Sequence, residues 1–230
     1  MQNEEIEDLK AIQDEYAEFY EDCREKPYVL FTPVAPRKKP PVFELCTHAD
    51  YTYLLEGLLQ RKLLKADAVW QHERGSHPLI ILAVGACASA NLQALLNADA
   101  DPNVVGSNPN ALYSECTPIS LAVENEDPKM VEMLLKKGAL TSNISLVVPT
   151  PLKQAVDRYL IGDRKKIKEM IRILLENHAS PHEEDVVVSR LSNKESGIYT
   201  VNTALGLAKA RKYDDIFEIL SKSKESLEHD

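Results

Sequence analysis

The fold of this chain is decided by the stretch Thr117-Pro118-Ile119-Ser120-Leu121-Ala122-Val123, followed by Met130-Val131-Glu132-Met133-Leu134-Leu135 and by Lys136-Lys137-Gly138-Ala139. Threonine can cap a helix, and proline suits the first helical turn because the N–H that it lacks would be unpaired there. The spacing of the apolar residues before the Leu-Leu pair is typical of a second, amphipathic helix, which the glycine can end. The stretch therefore predicts two short helices that pack on each other.

The second helix of this unit recurs along the chain. Its paired residues stand at Leu58-Leu59, Leu95-Leu96, Leu134-Leu135, Leu174-Leu175 and Leu220-Ser221, so the unit returns after 37, 39, 40 and 46 residues. Further helix starts precede the fourth and fifth copies, at Thr150-Pro151-Leu152 and Thr203-Ala204-Leu205. Such a period indicates a stack of helix pairs, in which each pair buries its apolar face on its neighbours.

These residues resemble the ankyrin repeat, whose pattern is a Thr-Pro-Leu start, a small-residue helix, a Leu-Leu helix and a Gly-Ala-Asp exit. The match is strongest over residues 117–139 and extends over roughly 43–222, although every spacing exceeds the family's usual ~33 residues. The resemblance implies an all-α fold, an ankyrin-like α-solenoid of about five helix-pair repeats with long irregular fingers. Other α-solenoids remain the alternative.

The sequence suggests four parts: an acidic amphipathic helix at 1–26, a Pro-rich linker at 27–42, the ankyrin-like repeat domain at 43–222 and a polar tail at 223–230. The first part holds ten Asp and Glu against three Lys and Arg, and its apolar residues recur at three- and four-residue spacing. Such a helix is expected either to cap the repeat stack or to dock on a partner through Tyr16, Phe19 and Tyr20. The sequence leaves both readings open.

Composition argues against several classes of protein. The net charge of −9 argues against nucleic-acid binding, which needs a basic surface. No apolar run approaches the ~18 residues of a membrane span, and the acidic start does not have the pattern of a signal peptide. The four cysteines have no CxxC spacing and are expected to be reduced thiols, which favours an intracellular protein of the cytoplasm or nucleus. We expect a monomer that does not bind membranes.

The sequence contains none of the common catalytic or metal-binding motifs. It has no phosphate-binding glycine loop, no GxSxG and no HExxH. His178 and His182 are four residues apart, but Pro181 would interrupt a helix between them. The sequence therefore predicts a protein that is not an enzyme and needs no cofactor and no metal. An enzyme with a site in the insertion at 180–202 is the alternative.

The resemblance also suggests where a partner would bind, because ankyrin-repeat proteins usually bind partners on a concave face lined by the first helices and the finger tips. Candidates at the ends of the first helices and in the following turns are Glu124, Asn125, Asp157, Arg158, Tyr159, Arg211, Lys212 and Tyr213. Candidates on the fingers are Trp70, Leu112 and Tyr113. The aromatic and basic residues of the fourth and fifth copies predict a surface that would suit an acidic peptide.

The sequence thus predicts a non-enzymatic protein–protein interaction module, or adaptor, that binds a protein or peptide on the concave face of the repeats. Two alternatives keep the same fold. One is a secreted microbial effector that mimics host ankyrin proteins and would act in the host cytosol. The other is a substrate adaptor of a ubiquitin-ligase-type or phosphatase assembly.

Overall fold

The computed structural model describes residues 40–72, 75–110, 115–145, 147–188 and 199–223. These residues are mostly helical, with helices of five to thirteen residues joined by short turns, loops and short β-strands. The prediction of a helical fold is thus confirmed. None of the described helices is long and apolar enough to cross a membrane.

The chain divides into two compact units, residues 1–114 and 115–230, which we describe separately. The described elements of the first unit are α1 (Pro41–Leu45), a 3-10 turn (Ala49–Tyr51), α2 (Thr52–Gln60), β1 (Val69–His72), β2 (Gly75–Pro78), α3 (Leu79–Gly85), α4 (Ser89–Asn97) and β3 (Gly106–Ser107). Strands β1 and β2 pair antiparallel, with Trp70 opposite His77. Pro41 and Val42, which the sequence analysis places in the linker, are buried at the start of α1.

The core of the first unit lies where α4 contacts α2 and α3. Leu55, Leu58 and Leu95 are fully buried there. The buried side chain of Asn91 satisfies the end of α1, because its Nδ2 donates to Leu45 O at 2.9 Å and to Cys46 O at 3.1 Å. A buried amide that replaces water at a helix end in this way avoids the cost of unpaired carbonyls.

The described elements of the second unit are β4 (Glu115–Cys116), α5 (Pro118–Glu124), α6 (Pro128–Lys136), α7 (Pro151–Arg158), α8 (Arg164–Glu176), β5 (Asp185–Val188), β6 (Tyr199–Asn202), α9 (Ala204–Ala210) and α10 (Asp214–Lys222). The helices pack in pairs, α5 with α6, α7 with α8 and α9 with α10. The first helices also pack on one another, since α7 contacts both α5 and α9. Strands β5 and β6 pair antiparallel.

Three threonines cap the first helices of the second unit, as the sequence predicts. Thr117 Oγ1 accepts a hydrogen bond from Ser120 N at 3.1 Å, and Ser120 Oγ accepts one from Thr117 N at 2.8 Å, which completes a capping box. The side chain of Thr150 accepts from Lys153 N at the start of α7, and that of Thr203 accepts from Gly206 N at the start of α9. Each cap satisfies a backbone N–H that the helix leaves unpaired.

The repeat is also visible in the backbone dihedral angles. Residues with positive φ end the second helices, 37, 39 and 40 residues apart, at Lys62, Asp99, Gly138 and His178. A second set lies in the turns between paired helices, at Cys87, Glu126 and Lys212. A positive φ is uncommon outside glycine, so its return at equivalent positions indicates that these turns share one backbone conformation.

Candidate functional site

The predicted site residues of the second unit lie along one edge of a row of helices. Because α7 packs between α5 and α9, the carboxyl ends of the three helices are neighbours. Arg158 Nη2 lies 3.1 Å from Glu126 Oε1, and Arg211 Nη2 lies 2.5 Å from Asp157 Oδ1. These ion pairs join the end of α7 to the turn after α5 and to the turn after α9. We call residues 124–126, 157–158 and 211–213 the helix-end surface.

Most predicted residues of the helix-end surface are accessible to a partner. Asp157, Arg211 and Lys212 are exposed, and Glu124, Asn125, Arg158 and Tyr213 are half-buried. Charges of opposite sign alternate along the surface, because each arginine has a carboxylate within salt-bridge distance. The basic residues that the sequence analysis expects to suit an acidic peptide thus lie beside carboxylates. The electrostatic pattern of the surface favours a partner with both acidic and basic groups.

The prediction that Tyr159 belongs to the binding surface is wrong, because its side chain is buried in the interior. It is 3% exposed, and its hydroxyl donates a hydrogen bond to the carboxylate of Asp215. Lys168 Nζ lies 2.7 Å from the same carboxylate oxygen, and the ring of Tyr213 packs edge-on against Tyr159 at 5.1 Å. Tyr159 therefore joins α7 to α8 and α10, and only Tyr213 of the pair is available at the surface.

The ionisation of this cluster follows from its contacts. Burial raises the pKa of Tyr159, and the hydrogen bond to Asp215 adds to the rise, so the phenol stays neutral at physiological pH. Burial would raise the pKa of Asp215, but the hydrogen bonds from Lys168 and Tyr159 outweigh it and hold that pKa below the usual range. The neutral hydroxyl of Tyr159 therefore donates to the charged carboxylate of Asp215, and this hydrogen bond stabilises the fold.

Glu126 is a functional candidate that the sequence analysis missed. It follows the helix end, outside the positions that the repeat pattern assigns to the binding face. Its carboxylate accepts from Arg158 Nη2 at 3.1 Å and from the backbone N–H of Asp163 at 2.8 Å. The bond from Asp163, followed by the contacts with Arg158, holds the pKa of Glu126 below its ordinary value. The charged form of Glu126 therefore stabilises the turn after α7.

Three buried polar atoms of the second unit have no hydrogen-bond partner among the described residues: Gln154 Oε1, Arg158 Nε and Tyr213 Oη. Gln154 and Arg158 lie one helical turn apart on α7. An unpaired buried polar atom costs about 1–3 kcal/mol, so bound water is expected to satisfy these atoms. Because all three are buried, they add no exposed hydrogen-bonding group to the helix-end surface.

The remaining predicted residues lie elsewhere. Trp70 belongs to the first unit, where it is half-buried and stacks on His77 with ring centroids 5.2 Å apart. Packing within the β1–β2 hairpin accounts for that position. Leu112 and Tyr113, like Tyr16, Phe19 and Tyr20, lie outside the described residues.

The described residues contain no group of three or more His, Cys, Asp or Glu side chains that could hold a metal ion. Cys116 is buried, and burial is the main cause that raises its pKa to about 12. Its thiol is therefore protonated and unreactive at physiological pH.

Comparison with known protein families supports the resemblance to the ankyrin repeat. The model of the ankyrin repeat matches residues 114–146. This stretch contains β4, α5 and α6, the capping box at Thr117 and the positive φ of Gly138. No curated protein matches the chain.

Proposed function

Since this chain is an ankyrin-repeat protein, we propose that it is a non-enzymatic adaptor whose helix-end surface binds a partner protein. Ankyrin repeats generally mediate protein–protein interaction. The proposal includes an ankyrin-like α-solenoid of about five helix pairs, with the helix-end surface on its concave face. The regular return of positive φ at the helix ends supports the repeat architecture.

The proposal rests on the row formed by the first helices of the three pairs of the second unit. Helices α5, α7 and α9 are joined at their carboxyl ends by the ion pairs Arg158–Glu126 and Arg211–Asp157. These pairs hold the side chains in place before a partner arrives, which lowers the entropy that binding must overcome.

The test uses a variant that changes the surface but keeps all four residues of the ion pairs Arg158–Glu126 and Arg211–Asp157. Glu124→Lys/Lys212→Glu alters two residues outside the two salt bridges and keeps the net charge. The control, Glu132→Lys/Lys136→Glu, makes the same exchange within an exposed pair of α6. Full-length wild type and both variants would be used for affinity purification with quantitative mass spectrometry, and their Tm values compared.

We expect the surface variant to lose a specific partner by about tenfold or more, in the range of a central interface residue. The control should retain the partner, and all three proteins should keep the same Tm. Equal recovery of every partner by both variants would contradict the helix-end surface. If the wild type recovers no specific protein, the adaptor function itself is contradicted.

A further inference from the structure

The turn between α7 and α8 differs from the other turns between paired helices in the described part of the chain. The α3–α4, α5–α6 and α9–α10 turns have three residues each, with a central positive φ at Cys87, Glu126 and Lys212. The α7–α8 turn has five residues, 159–163, and none with positive φ. The fourth copy thus departs from a conformation that the other copies share.

The additional length places two aliphatic side chains in water. Leu160 is 64% exposed and Ile161 is 76% exposed, the highest values among the exposed large apolar residues of the described chain. Burying a side chain of this size contributes about 1.5–3 kcal/mol, so the pair represents a substantial binding energy. Single exposed apolar residues are common, whereas Leu160 and Ile161 are adjacent and form one small apolar patch at the tip of the turn.

The turn holds this aliphatic pair in a fixed conformation. Ile161 N and Gly162 N both donate to Arg158 O, at 3.0 Å and 2.9 Å. Glu126 accepts from Arg158 and from Asp163 N on the other side of the pair. A Cβ at residue 162 would lie 2.2 Å from Glu126 Oε1, so glycine is what allows this close approach. The pair is therefore presented without the entropy cost of ordering a loop.

Three exposed cations follow the aliphatic pair. Helix α8 begins with Arg164, Lys165 and Lys166, all exposed. The guanidinium of Arg164 lies over the ring of Tyr159, 5.1 Å from its centroid, and Lys166 helps to lower the pKa of Glu126, but none of the three lies within salt-bridge distance of a described carboxylate. Exposed cations beside an apolar contact attract carboxylates and accelerate encounter with an acidic partner.

We propose that Leu160, Ile161, Arg164, Lys165 and Lys166, the α7–α8 patch, bind a segment of a partner protein that carries apolar side chains next to carboxylates. The inference rests on the proposed function and adds the chemistry of the partner. The aliphatic pair takes up the apolar side chains, and the three cations bind the carboxylates.

A protein segment fits the patch better than an anionic membrane. The α7–α8 patch is small, with two aliphatic side chains and three cations. Stable membrane attachment takes two strong signals, such as two lipid chains or one chain with a polybasic patch. Two aliphatic side chains and three cations are adequate for an anchored peptide contact.

The test is a selection of peptides from a random phage-displayed library on the full-length protein. We expect the recovered peptides to place Asp or Glu beside aliphatic or aromatic residues. Synthetic copies of the best peptides would then be measured by fluorescence anisotropy. Leu160→Ser/Ile161→Ser should weaken binding by about tenfold or more, because it removes the apolar contact. Arg164→Glu/Lys165→Glu should weaken it as well and reduce its dependence on salt.

Leu140→Ser/Val147→Ser is the matched control, since these aliphatic residues of the same unit are 48% and 45% exposed. It should bind the peptides as the wild type does. Peptides without carboxylates, unchanged affinity in Leu160→Ser/Ile161→Ser, or no enrichment would each overturn the inference. So would sedimentation of the wild type, but not of Leu160→Ser/Ile161→Ser, with phosphatidylserine vesicles. If only Glu124→Lys/Lys212→Glu abolishes peptide binding, the adaptor function stands and the α7–α8 patch is rejected.

Discussion

The α5–α6 and α7–α8 turns join the same kinds of helix in two different ways. The α5–α6 turn closes in three residues through the positive φ of Glu126, whereas the α7–α8 turn takes five residues without a positive φ. Both turns nevertheless end in an aspartate that caps the next helix, Asp127 before α6 and Asp163 before α8. The helix pair thus tolerates an insertion when the cap is kept, because the inserted residues extend into water.

The two turns are also coupled through one residue. The backbone of Glu126 makes the short turn, and its carboxylate binds Arg158 and Asp163 N of the long one. The longer turn of one copy is therefore stabilised by the turn of the copy before it. In a repeat protein such nearest-neighbour contacts supply much of the stability.

Glu126→Ala should have the largest effect of the substitutions that test this coupling. It removes two hydrogen bonds to a partly buried carboxylate and leaves Arg158 without its counter-ion. We expect the free energy of unfolding to fall by about 2 kcal/mol in urea titrations. The control Glu132→Ala removes an exposed i,i+4 pair and should cost less than about 0.5 kcal/mol. Equal losses in the two variants would contradict the coupling.

The same contact has a defined pH dependence. The pKa of Glu126 is lowered from 4.5 in the folded protein, so in acid the unfolded chain takes up the proton first. The stabilisation is complete above pH 4.5 and is lost as the pH falls through the folded-state pKa. The difference in unfolding free energy between wild type and Glu126→Gln should therefore shrink below pH 4.5. A difference that stays constant in acid would show that the charge of Glu126 contributes nothing.

Gly162→Ala tests the close approach of the two turns and should have a smaller effect. The added Cβ would lie 2.2 Å from Glu126 Oε1 and 2.7 Å from Ile167 Cδ1, so both side chains must move. We expect a loss of about 1–2 kcal/mol in the free energy of unfolding. Gly57→Ala is the control, because a Cβ there meets nothing within 4 Å and alanine is the better helix former, which should add about 0.5–1 kcal/mol. In a Glu126→Ala background, Gly162→Ala should lower the free energy of unfolding by less, because the side chain that the added Cβ would meet is gone.

The parts of this comparison that the sequence predicts are those encoded locally. Thr117 and Thr150 each precede a proline and an apolar helix, and both cap their helices as predicted. His178 stands where the repeat has its exit glycine, and it adopts the positive φ of that position. Such features depend on neighbours a few residues away, so a single sequence is enough to recognise them.

The contacts between copies could not be predicted in this way. Arg158 and Glu126 are 32 residues apart, and nothing near either residue indicates which charge it will bind. Tyr159 was assigned to the surface because it follows a helix end, but α8 and α10 supply Lys168 and Asp215, and Tyr159 is buried with them. The departure of the α7–α8 turn does have a sequence signal, since the two helices of the fourth copy are separated by additional residues.

The smallest effects are expected at the caps, where the two turns are alike. Asp163 Oδ1 accepts from Lys165 N at 2.9 Å and Lys166 N at 3.3 Å, and Asp127 Oδ1 accepts from Met130 N at 3.1 Å. Each aspartate satisfies N–H groups that its helix leaves unpaired, so Asp127→Ala and Asp163→Ala should each cost about 1 kcal/mol in urea unfolding. Asp127→Asn and Asp163→Asn should each lower the free energy of unfolding by much less than the alanine substitution, because asparagine also caps helices. If Asp163→Ala costs several times more than Asp127→Ala, the cap of the long turn also holds Leu160 and Ile161 in place, and the turns differ in more than the inserted residues.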